Sequence, residues 1–424
     1  MTRPAWALAL LLAALPAGAS EVYIGLEGAA GKAWTLGLDA FTSQDPKSAQ
    51  DAADARALRD ILRSDLLFSR SFIIADQPPP ADAPDPLEAW RAKGASFAVR
   101  AVAGRTADML AFQLTLVDLG TGQPLLSRYY RQRPEFLRVL AHTAADDIVR
   151  QLTGRRGVAR SRIAFVNDQT GAKEIYVADY DGAEVKRVTA NKTLNLLPRW
   201  RPDARALAFT SYKDNNPDLY LYDFEKGRLS VLSDRQGLNV AGGFSPDGTQ
   251  LAATVSRGKE PNIFLISLKD LSSKQLTSHF GVDSSATFSP DGQQVAFVSD
   301  RAGNPQVHVI ELATGRTKRL THLNWCDSPS WSPTGEWVAF AGRANRKDNM
   351  DIFLVDVTGT RVVQLTHGEG QNEAPSWAPD GRFLAFSSTR KGAKPQVYVM
   401  DADGSAPRLW ADVPGGSYSP HWSQ

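Results

Sequence analysis

The sequence predicts a small α/β N-terminal domain followed by an all-β six-bladed β-propeller that is closed by the C-terminal strand. Three observations predict it: a motif that recurs about every 44 residues, a repeat split between the two ends of the repeated region, and helical patterning ahead of it. Four short strands in each ~40–45 residues are typical of propeller blades. Hydrophobic residues make up 42% of the 424 and charged residues 22%, as in ordinary globular proteins.

The repeat is marked by an aromatic residue that precedes a Ser-Pro-Asp-Gly turn or a variant of it. Phe244 leads into Ser245–Gly248 in this way, and Phe288 leads into Ser289–Gly292. In that order, serine starts a type I turn, proline fixes its second position and glycine ends it. Six anchors predict six blades, within the usual four to eight. The anchor aromatics, spaced by 44, 44, 43, 46 and 45 residues, are Trp200, Phe244, Phe288, Trp331, Trp377 and Trp422.

The two ends of the repeated region complement each other. Ile163–Val166 and Glu174–Asp179 match the second and third strands of a blade, but no anchor precedes them. Pro420–Ser423 is an anchor with no strands after it. Because the two fragments add up to one blade, we expect the last strand to be the innermost strand of the first blade. Such closure removes exposed sheet edges, which promote aggregation.

The part ahead of the propeller mixes helices and strands. Apolar residues at helical spacing predict a helix over 48–67. A second helix is predicted between Pro134 and Gly154, which are typical start and stop signals. Residues 97–102 and 110–117 alternate like strands. The predicted segments are a signal peptide at 1–19, a small α/β domain at 20–154, a basic linker at 155–160 and the propeller at 161–424.

The first residues have the pattern of an export signal. Arg3 precedes the apolar run Ala5–Leu15, and Ala17–Ala19 supplies the small residues of a cleavage site. The run is too short to cross a bilayer of about 30 Å as a helix. We therefore expect cleavage near Ala19 and a periplasmic, monomeric protein without direct membrane insertion.

Composition and motifs argue against an enzyme. Lys and Arg total 48 and Asp and Glu total 46, so the net charge of +2 gives no nucleic-acid footprint. Cys326 is the single cysteine, which excludes an intrachain disulfide and a multi-cysteine zinc site. The chain contains neither Gly-x-Ser-x-Gly nor His-Glu-x-x-His. We expect no catalytic residues, no cofactor and no metal ligands.

Polar residues recur four or five positions before the anchors, in the loops that enter the innermost strands and ring one mouth of the channel. Such side chains suit a partner's loop inserted into that mouth, and ordinary solvated loop residues are the alternative interpretation. The predicted partner-binding residues of the mouth are Asn195, Asn239, Asp283, Ser284, Ser285, Asp327, Asn372 and Glu373.

The junction of the two parts carries distinctive runs, Ala141–Asp147, Leu152–Gly154, Ser161–Phe165 and Asp179–Gly182. Together with the six repeats and the order of domains, they resemble the TolB family, periplasmic components of the Tol–Pal system of Gram-negative bacteria. The resemblance implies a non-enzymatic scaffold that supports outer-membrane integrity and cell division. It implies that the propeller docks the peptidoglycan-associated lipoprotein Pal and that the N-terminal part contacts the inner-membrane protein TolA.

The resemblance also assigns a role to the mature N-terminus, which in TolB-like proteins signals to TolA. Only its start and its alternation match the family, and a strand docked permanently in the small domain is the alternative. The chain departs from the family at Leu238, where relatives carry histidine, and at Ser284–Ser285, where they carry Thr-Glu. The predicted partner-binding residues of the N-terminal strand are Glu21, Val22, Tyr23 and Ile24.

Two other functions are left open by the sequence. A propeller-type hydrolase or lyase would use acidic residues of the mouth and a metal ion. A cell-wall glycan-binding protein would use anchor tryptophans such as Trp200 and Trp331, although their place in the repeat favours packing between blades.

Overall fold

The structure, a computed structural model, describes residues 33–75, 85–256 and 260–424. The predicted signal peptide at 1–19 and the predicted N-terminal strand at 21–24 lie outside the described residues. In the described part of the chain, no helix combines the length and the apolar character needed to cross a membrane.

The N-terminal region folds as a mixed sheet with helices on it. Its first strand along the chain is parallel to a neighbour on each side, and the last three strands form an antiparallel meander. The elements are β1 (Trp34–Leu38), β2 (Thr42–Ser43), α1 (Ala49–Phe68), β3 (Phe72–Ala75), α2 (Pro86–Ala92), β4 (Phe97–Thr106), β5 (Met109–Asp118), β6 (Pro124–Gln132), a 3-10 turn (Pro134–Phe136) and α3 (Leu137–Thr153). The sheet order is β3-β1-β4-β5-β6, with β2 beside β4.

Both predicted long helices are present, and local chemistry explains their ends. The Ser48 hydroxyl accepts a hydrogen bond from the Asp51 N–H and caps α1. Gly154 ends α3 at φ +70°, a left-handed conformation that suits glycine. The predicted strands are also present, and each extends further than the apolar alternation indicated. Leu58 of α1 and Ile148 of α3 are fully buried in one core with the sheet.

The rest of the chain forms six four-stranded antiparallel sheets, and neighbouring inner strands contact each other around a central channel. Blade 1 consists of β7 (Arg162–Asn167), β8 (Glu174–Asp179), β9 (Lys186–Arg187) and, as its inner strand, β30 (Ser417–Trp422). Blades 2 and 3 consist of β10 (Asn195–Trp200), β11 (Ala206–Ser211), β12 (Asp218–Asp223) and β13 (Arg228–Ser233), and of β14 (Asn239–Phe244), β15 (Gln250–Ser256), β16 (Pro261–Ser267) and β17 (Ser273–Gln275). Blades 4, 5 and 6 consist of β18 (Asp283–Phe288), β19 (Gln294–Ser299), β20 (Gln306–Glu311) and β21 (Thr317–Arg319); of β22 (Trp325–Trp331), β23 (Trp337–Arg343), β24 (Asp351–Asp356) and β25 (Val362–Gln364); and of β26 (Asn372–Trp377), β27 (Phe383–Ser388), β28 (Gln396–Asp401) and β29 (Arg408–Leu409).

The predicted closure of the ring by the C-terminal strand is confirmed. β30 pairs antiparallel with β7, so that Tyr418 lies opposite Val166 and Trp422 opposite Ile163. Trp422 is fully buried, and its indole N–H donates to the Ser161 hydroxyl at 2.7 Å. The first blade is therefore completed by residues about 250 positions away in the sequence.

The anchor motif forms the turn that its residues predict. In blade 3 the Gly248 N–H donates to the Ser245 carbonyl at 2.8 Å, and Gly248 has φ +69°. The Ser245 hydroxyl donates to Asp247, which also accepts the Thr249 N–H. Each of these bonds is local, because its donor and acceptor lie at most three residues apart.

The small domain and the propeller share one apolar core. Phe68 at the end of α1 packs on Tyr180 and Phe383 of the propeller, with ring centroids 4.7 and 5.1 Å apart. The Arg382 guanidinium donates to the Ser69 carbonyl at 2.8 Å. Apolar and polar contacts therefore join α1 to blades 1 and 6.

Candidate functional site

The inner strands all begin at one end of the channel, here called the front mouth. The buried side chains at the start of these strands bond to other residues of the propeller. The Asn195 amide donates to Glu174 of the preceding blade at 3.0 Å, and the Asn372 amide donates to Asp351 at 3.0 Å. Asp283 instead pairs with Arg301 of its own blade at 3.0 Å. The residues at this position are Asn195, Asn239, Asp283, Cys326, Asn372 and Ser417, each at most 1% exposed.

Four of the predicted partner-binding residues, Asn195, Asn239, Asp283 and Asn372, thus act as supports of the mouth. Asn239 also bonds to the preceding blade, because its amide donates to the Pro217 carbonyl of blade 2 at 3.1 Å. A buried polar group needs such partners, since leaving it unpaired costs about 1–3 kcal/mol. The surface that a partner meets is formed by their neighbours in sequence.

The remaining predicted residues come together on blades 4 to 6. Cys326 holds the buried position of blade 5, so Asp327 stands one residue further along and is only half-buried. The Ser285 hydroxyl of blade 4 donates to Asp327 at 3.2 Å. Desolvation and the negative charge of Asp327 raise the pKa of Glu373 on blade 6. Asp327 and Glu373 therefore form an acidic pair at the front mouth, and Ser284 lies in β18 opposite Val298.

A second feature of the front mouth was not predicted from the sequence. The residue directly before each buried starting residue is large and apolar in four consecutive blades. We call Leu194, Leu238, Val282 and Trp325 the apolar crescent; each is more than a third exposed. Phe280, two residues before Val282, is 94% exposed. The signal was present in the sequence as spacings of 44, 44 and 43 residues between these four positions.

The shape of the channel is set by a recurring backbone irregularity. In five inner strands, the residue two positions after the buried starting residue is not glycine yet has a positive φ, and the register with the next strand shifts there. A β-bulge of this kind bends a strand and redirects its side chains. Such backbone costs about 1–3 kcal/mol where it is held, and it clusters at binding sites. The residues are Leu197, Ser285, Ser328, Ala374 and Ser419, at φ of 46 to 55°.

Among the described residues, one group of side chains is close enough to hold a metal ion: Asp65, His142 and Asp181, at the junction of the two domains. Arg138 already binds Asp181 at 2.7 Å and Asp179 at 3.0 Å. Burial favours a neutral His142 ring, but Asp179 and Asp65 outweigh it and raise the pKa to about 9. Because Arg138 and His142 already pair with these three carboxylates, we interpret the group as a structural link between the domains.

The chain is thus a six-bladed β-propeller protein with a small α/β domain, and apolar and acidic side chains are exposed at one mouth of its channel. Residues 149–327 and 323–424 match the family model of the TolB beta propeller domain. The chain belongs to the TolB family, as the resemblance of its sequence predicted.

Two relatives and one solved structure agree with this assignment. The chain is 37% identical over 205 residues to the Tol-Pal system protein TolB of Geobacter sulfurreducens, covering 47% of each. It is 35% identical over 187 residues to that of Desulfosudis oleivorans, covering 42% of this chain and 41% of the relative. The chain thus spans about half the length of these curated relatives. TolB from Acinetobacter baumannii superimposes with a TM-score of 0.80 at 29% identity, covering 93% of this chain and 97% of that one.

Proposed function

We propose that the chain is a non-enzymatic, periplasmic component of a Tol–Pal system. In this proposal the front mouth binds a Pal-like lipoprotein, and the N-terminal residues Glu21–Ile24 bind a TolA-like inner-membrane protein. Family membership, the relatives' names and the export signal support it. The observation that carries the mouth assignment is the apolar crescent beside the acidic pair.

The apolar crescent supports a protein partner. Burying apolar surface stabilises a complex by roughly 25 cal/mol per Å², so large exposed side chains gathered on one rim mark an interaction surface. Trp325 is the strongest candidate within it, because tryptophan is enriched among the residues that dominate binding energy. The indole is held in place by Arg343, whose guanidinium lies 5.5 Å from the ring centroid.

The acidic pair supports a partner loop that brings donors or positive charge. Asp327 already accepts bonds from Ser285 and from the Ser328 N–H, so its position is fixed before a partner arrives. Glu373 is exposed and has room to accept further bonds. Charge complementarity of this type speeds encounter and sets orientation.

The burial of the anchor tryptophans argues against the alternative of glycan binding. Carbohydrate recognition by the anchor tryptophans would need their rings at the surface. Trp200, Trp331, Trp377 and Trp422 are each at most 7% exposed, so little of their rings is available at the cavity that they line.

The test is calorimetric titration of the mature chain with the soluble domain of the Pal-like protein from the same organism. We expect Trp325→Ala and Leu238→Ala each to weaken binding about tenfold, and Asp327→Asn with Glu373→Gln to weaken it similarly. Leu229→Ala is the matched control, since Leu229 is an equally exposed leucine on the outer strand β13. Affinities unchanged by all the mouth variants would remove Pal binding from the front mouth.

The N-terminal assignment is tested separately. A mature chain lacking residues 20–25 is expected to lose binding to the TolA-like protein in a pull-down and to keep its affinity for the Pal-like protein. Retained TolA binding would show that the contact lies elsewhere in the chain.

A further inference from the structure

The middle of the channel carries a ring of side chains that the proposed function does not use. They occupy the residue before each anchor aromatic, and we call this level the waist. Five of them line a cavity of about 30 Å³, enough to hold at least one water molecule or a small ion. The six residues of the waist are Arg199, Gly243, Thr287, Ser330, Ser376 and His421, of which Arg199, Thr287, Ser330 and His421 bring polar side chains to that cavity.

Arg199 brings a positive charge to the waist without an ion-pair partner. In the described part of the chain its guanidinium makes one hydrogen bond, from Nη1 to the carbonyl of the adjacent Pro198 at 3.0 Å. Asp327 attracts it only from a distance and is itself bonded to Ser285 and Ser328. Burial lowers the pKa of Arg199 to about 10, which leaves it charged at neutral pH. Arg199 is half-buried in the channel, and a partly desolvated charge without an ion-pair partner favours a counter-ion.

His421 adds a neutral hydrogen-bond donor next to Arg199. The Trp200 N–H donates to His421 Nδ1 at 3.2 Å, so Nδ1 acts as an acceptor. Burial and the nearby Arg199 charge hold the pKa of His421 well below its usual range. The ring is therefore neutral with its proton on Nε2, which makes Nε2 a donor.

The other polar groups at this cavity are hydroxyls. Thr287 and Ser330 can each turn an O–H toward a bound anion. Ser376 is at the same level but its hydroxyl accepts the Trp422 N–H at 2.9 Å. No carboxylate lines the cavity itself; Asp327 and Glu373 stand nearer the front mouth.

We propose that the waist binds one small monovalent anion of the halide class, held by Arg199, by His421 Nε2–H and by the hydroxyls of Thr287 and Ser330. A metal cation is disfavoured by the guanidinium. The site is independent of the front mouth, because it uses none of the residues assigned there to the partner.

The decisive experiment is anomalous diffraction at the bromine edge from crystals of the mature protein grown in sodium bromide. We expect a single peak in the channel within about 3.5 Å of the Arg199 guanidinium and of His421 Nε2. Arg199→Met, which keeps the length of the side chain and removes its charge, should abolish the peak. A waist occupied only by water in the wild-type protein, or a peak that persists in Arg199→Met, would overturn the proposal.

Thermal unfolding gives an independent solution measurement. Replacing gluconate by chloride at constant ionic strength should raise the Tm of the wild-type protein by a few degrees, since a ligand that binds only the folded state stabilises it. Arg199→Met should lose most of this rise. Should Arg199→Met fold poorly, Thr287→Val keeps the charge and removes one donor; a smaller chloride effect supports the site and an equal effect contradicts it.

Discussion

At the scale of single residues, one position along a strand decides what a side chain does. Asn372 and Glu373 are neighbours, yet Asn372 is fully buried and Glu373 is exposed. Successive side chains of a strand point to opposite faces. A shift of one residue therefore turns a buried side chain that supports the fold into an exposed one that can contact a partner. Asp327 illustrates the offset, because Cys326 takes the buried slot and leaves the carboxylate at the surface of the mouth.

At the same scale, the ionisation of His142 makes the free energy of unfolding depend on pH. Its Nδ1 lies 2.8 Å from Asp65, whose other oxygen accepts the Tyr180 hydroxyl at 2.6 Å. The pKa of His142 is raised to about 9 in the folded protein, above the usual value of about 6.5. A raised histidine pKa stabilises the fold below the unfolded pKa, and this stabilisation is lost as pH rises through the folded pKa.

We therefore predict that the free energy of unfolding falls by about 2–3 kcal/mol between pH 7 and pH 9.5 in the wild-type protein. Burial raises the pKa of Asp146 and Asp380 to about 6, so both titrate largely below this window. Urea unfolding of His142→Gln should show a much flatter profile. His367→Gln, at an exposed histidine, is the control and should follow the wild type; identical slopes for all three proteins would contradict the prediction.

At the scale of elements, the propeller is six copies of one sheet with a single non-local closure. Each blade's turn and hairpins are built from contacts within about 45 residues. The exception is blade 1, where β30 supplies the inner strand for β7. The Trp422 N–H also donates to Ser376 of blade 6 at 2.9 Å, so the last strand joins both sides of the ring.

The prediction at this scale concerns the closing strand. Trp422→Ala should lower the free energy of unfolding by about 3–5 kcal/mol, because it empties a fully buried site and removes the hydrogen bond from the indole to the Ser161 hydroxyl. Denaturant unfolding measures it. Trp325→Ala is the matched control: its ring is 39% exposed, so a loss below about 1 kcal/mol is expected. Equal losses in the two variants would mean that closure contributes no special stability.

At the scale of the whole molecule, aromatic and charged side chains join the end of α1 to the propeller. Phe68 is enclosed by Tyr180, Phe383 and Arg408, whose guanidinium lies 4.5 Å from its ring centroid. Arg70 pairs with Asp401 at 3.2 Å at the edge of the same contact. The end of α1 is thus held by two blades that meet at the closure.

We predict one cooperative transition for the wild-type protein in differential scanning calorimetry and two for Phe68→Ala. The small domain should melt first in the variant, because the lost aromatic contacts are worth about 2–4 kcal/mol of coupling. Leu67→Ala, a neighbouring exposed residue, should keep the single transition. A single transition in Phe68→Ala, displaced no more than in Leu67→Ala, would show that the coupling lies in other contacts.

The candidate site was predictable in its location and only partly in its members. The repeat placed polar residues at the start of each inner strand, and the structure confirms that position for Asn195 and Asn239. It could not show that their amides are taken up by Glu174 and Pro217, because those partners belong to the neighbouring blade. The apolar crescent was missed because Leu194 and Leu238 lie in the loops just before the strands, where no local pattern distinguishes an exposed leucine from a buried one.

The sequence by itself determined the number of blades, the turn of each repeat and the closure of the ring, since these follow from local hydrogen bonding and from counting copies. Only the tertiary structure decided which polar residues of the mouth stay accessible, and that Arg199 and His421 meet at the waist although 222 residues separate them (421 − 199). The physical reason is that backbone preferences act over a few residues. Burial, charge and accessibility depend instead on neighbours that only the packed ring brings together.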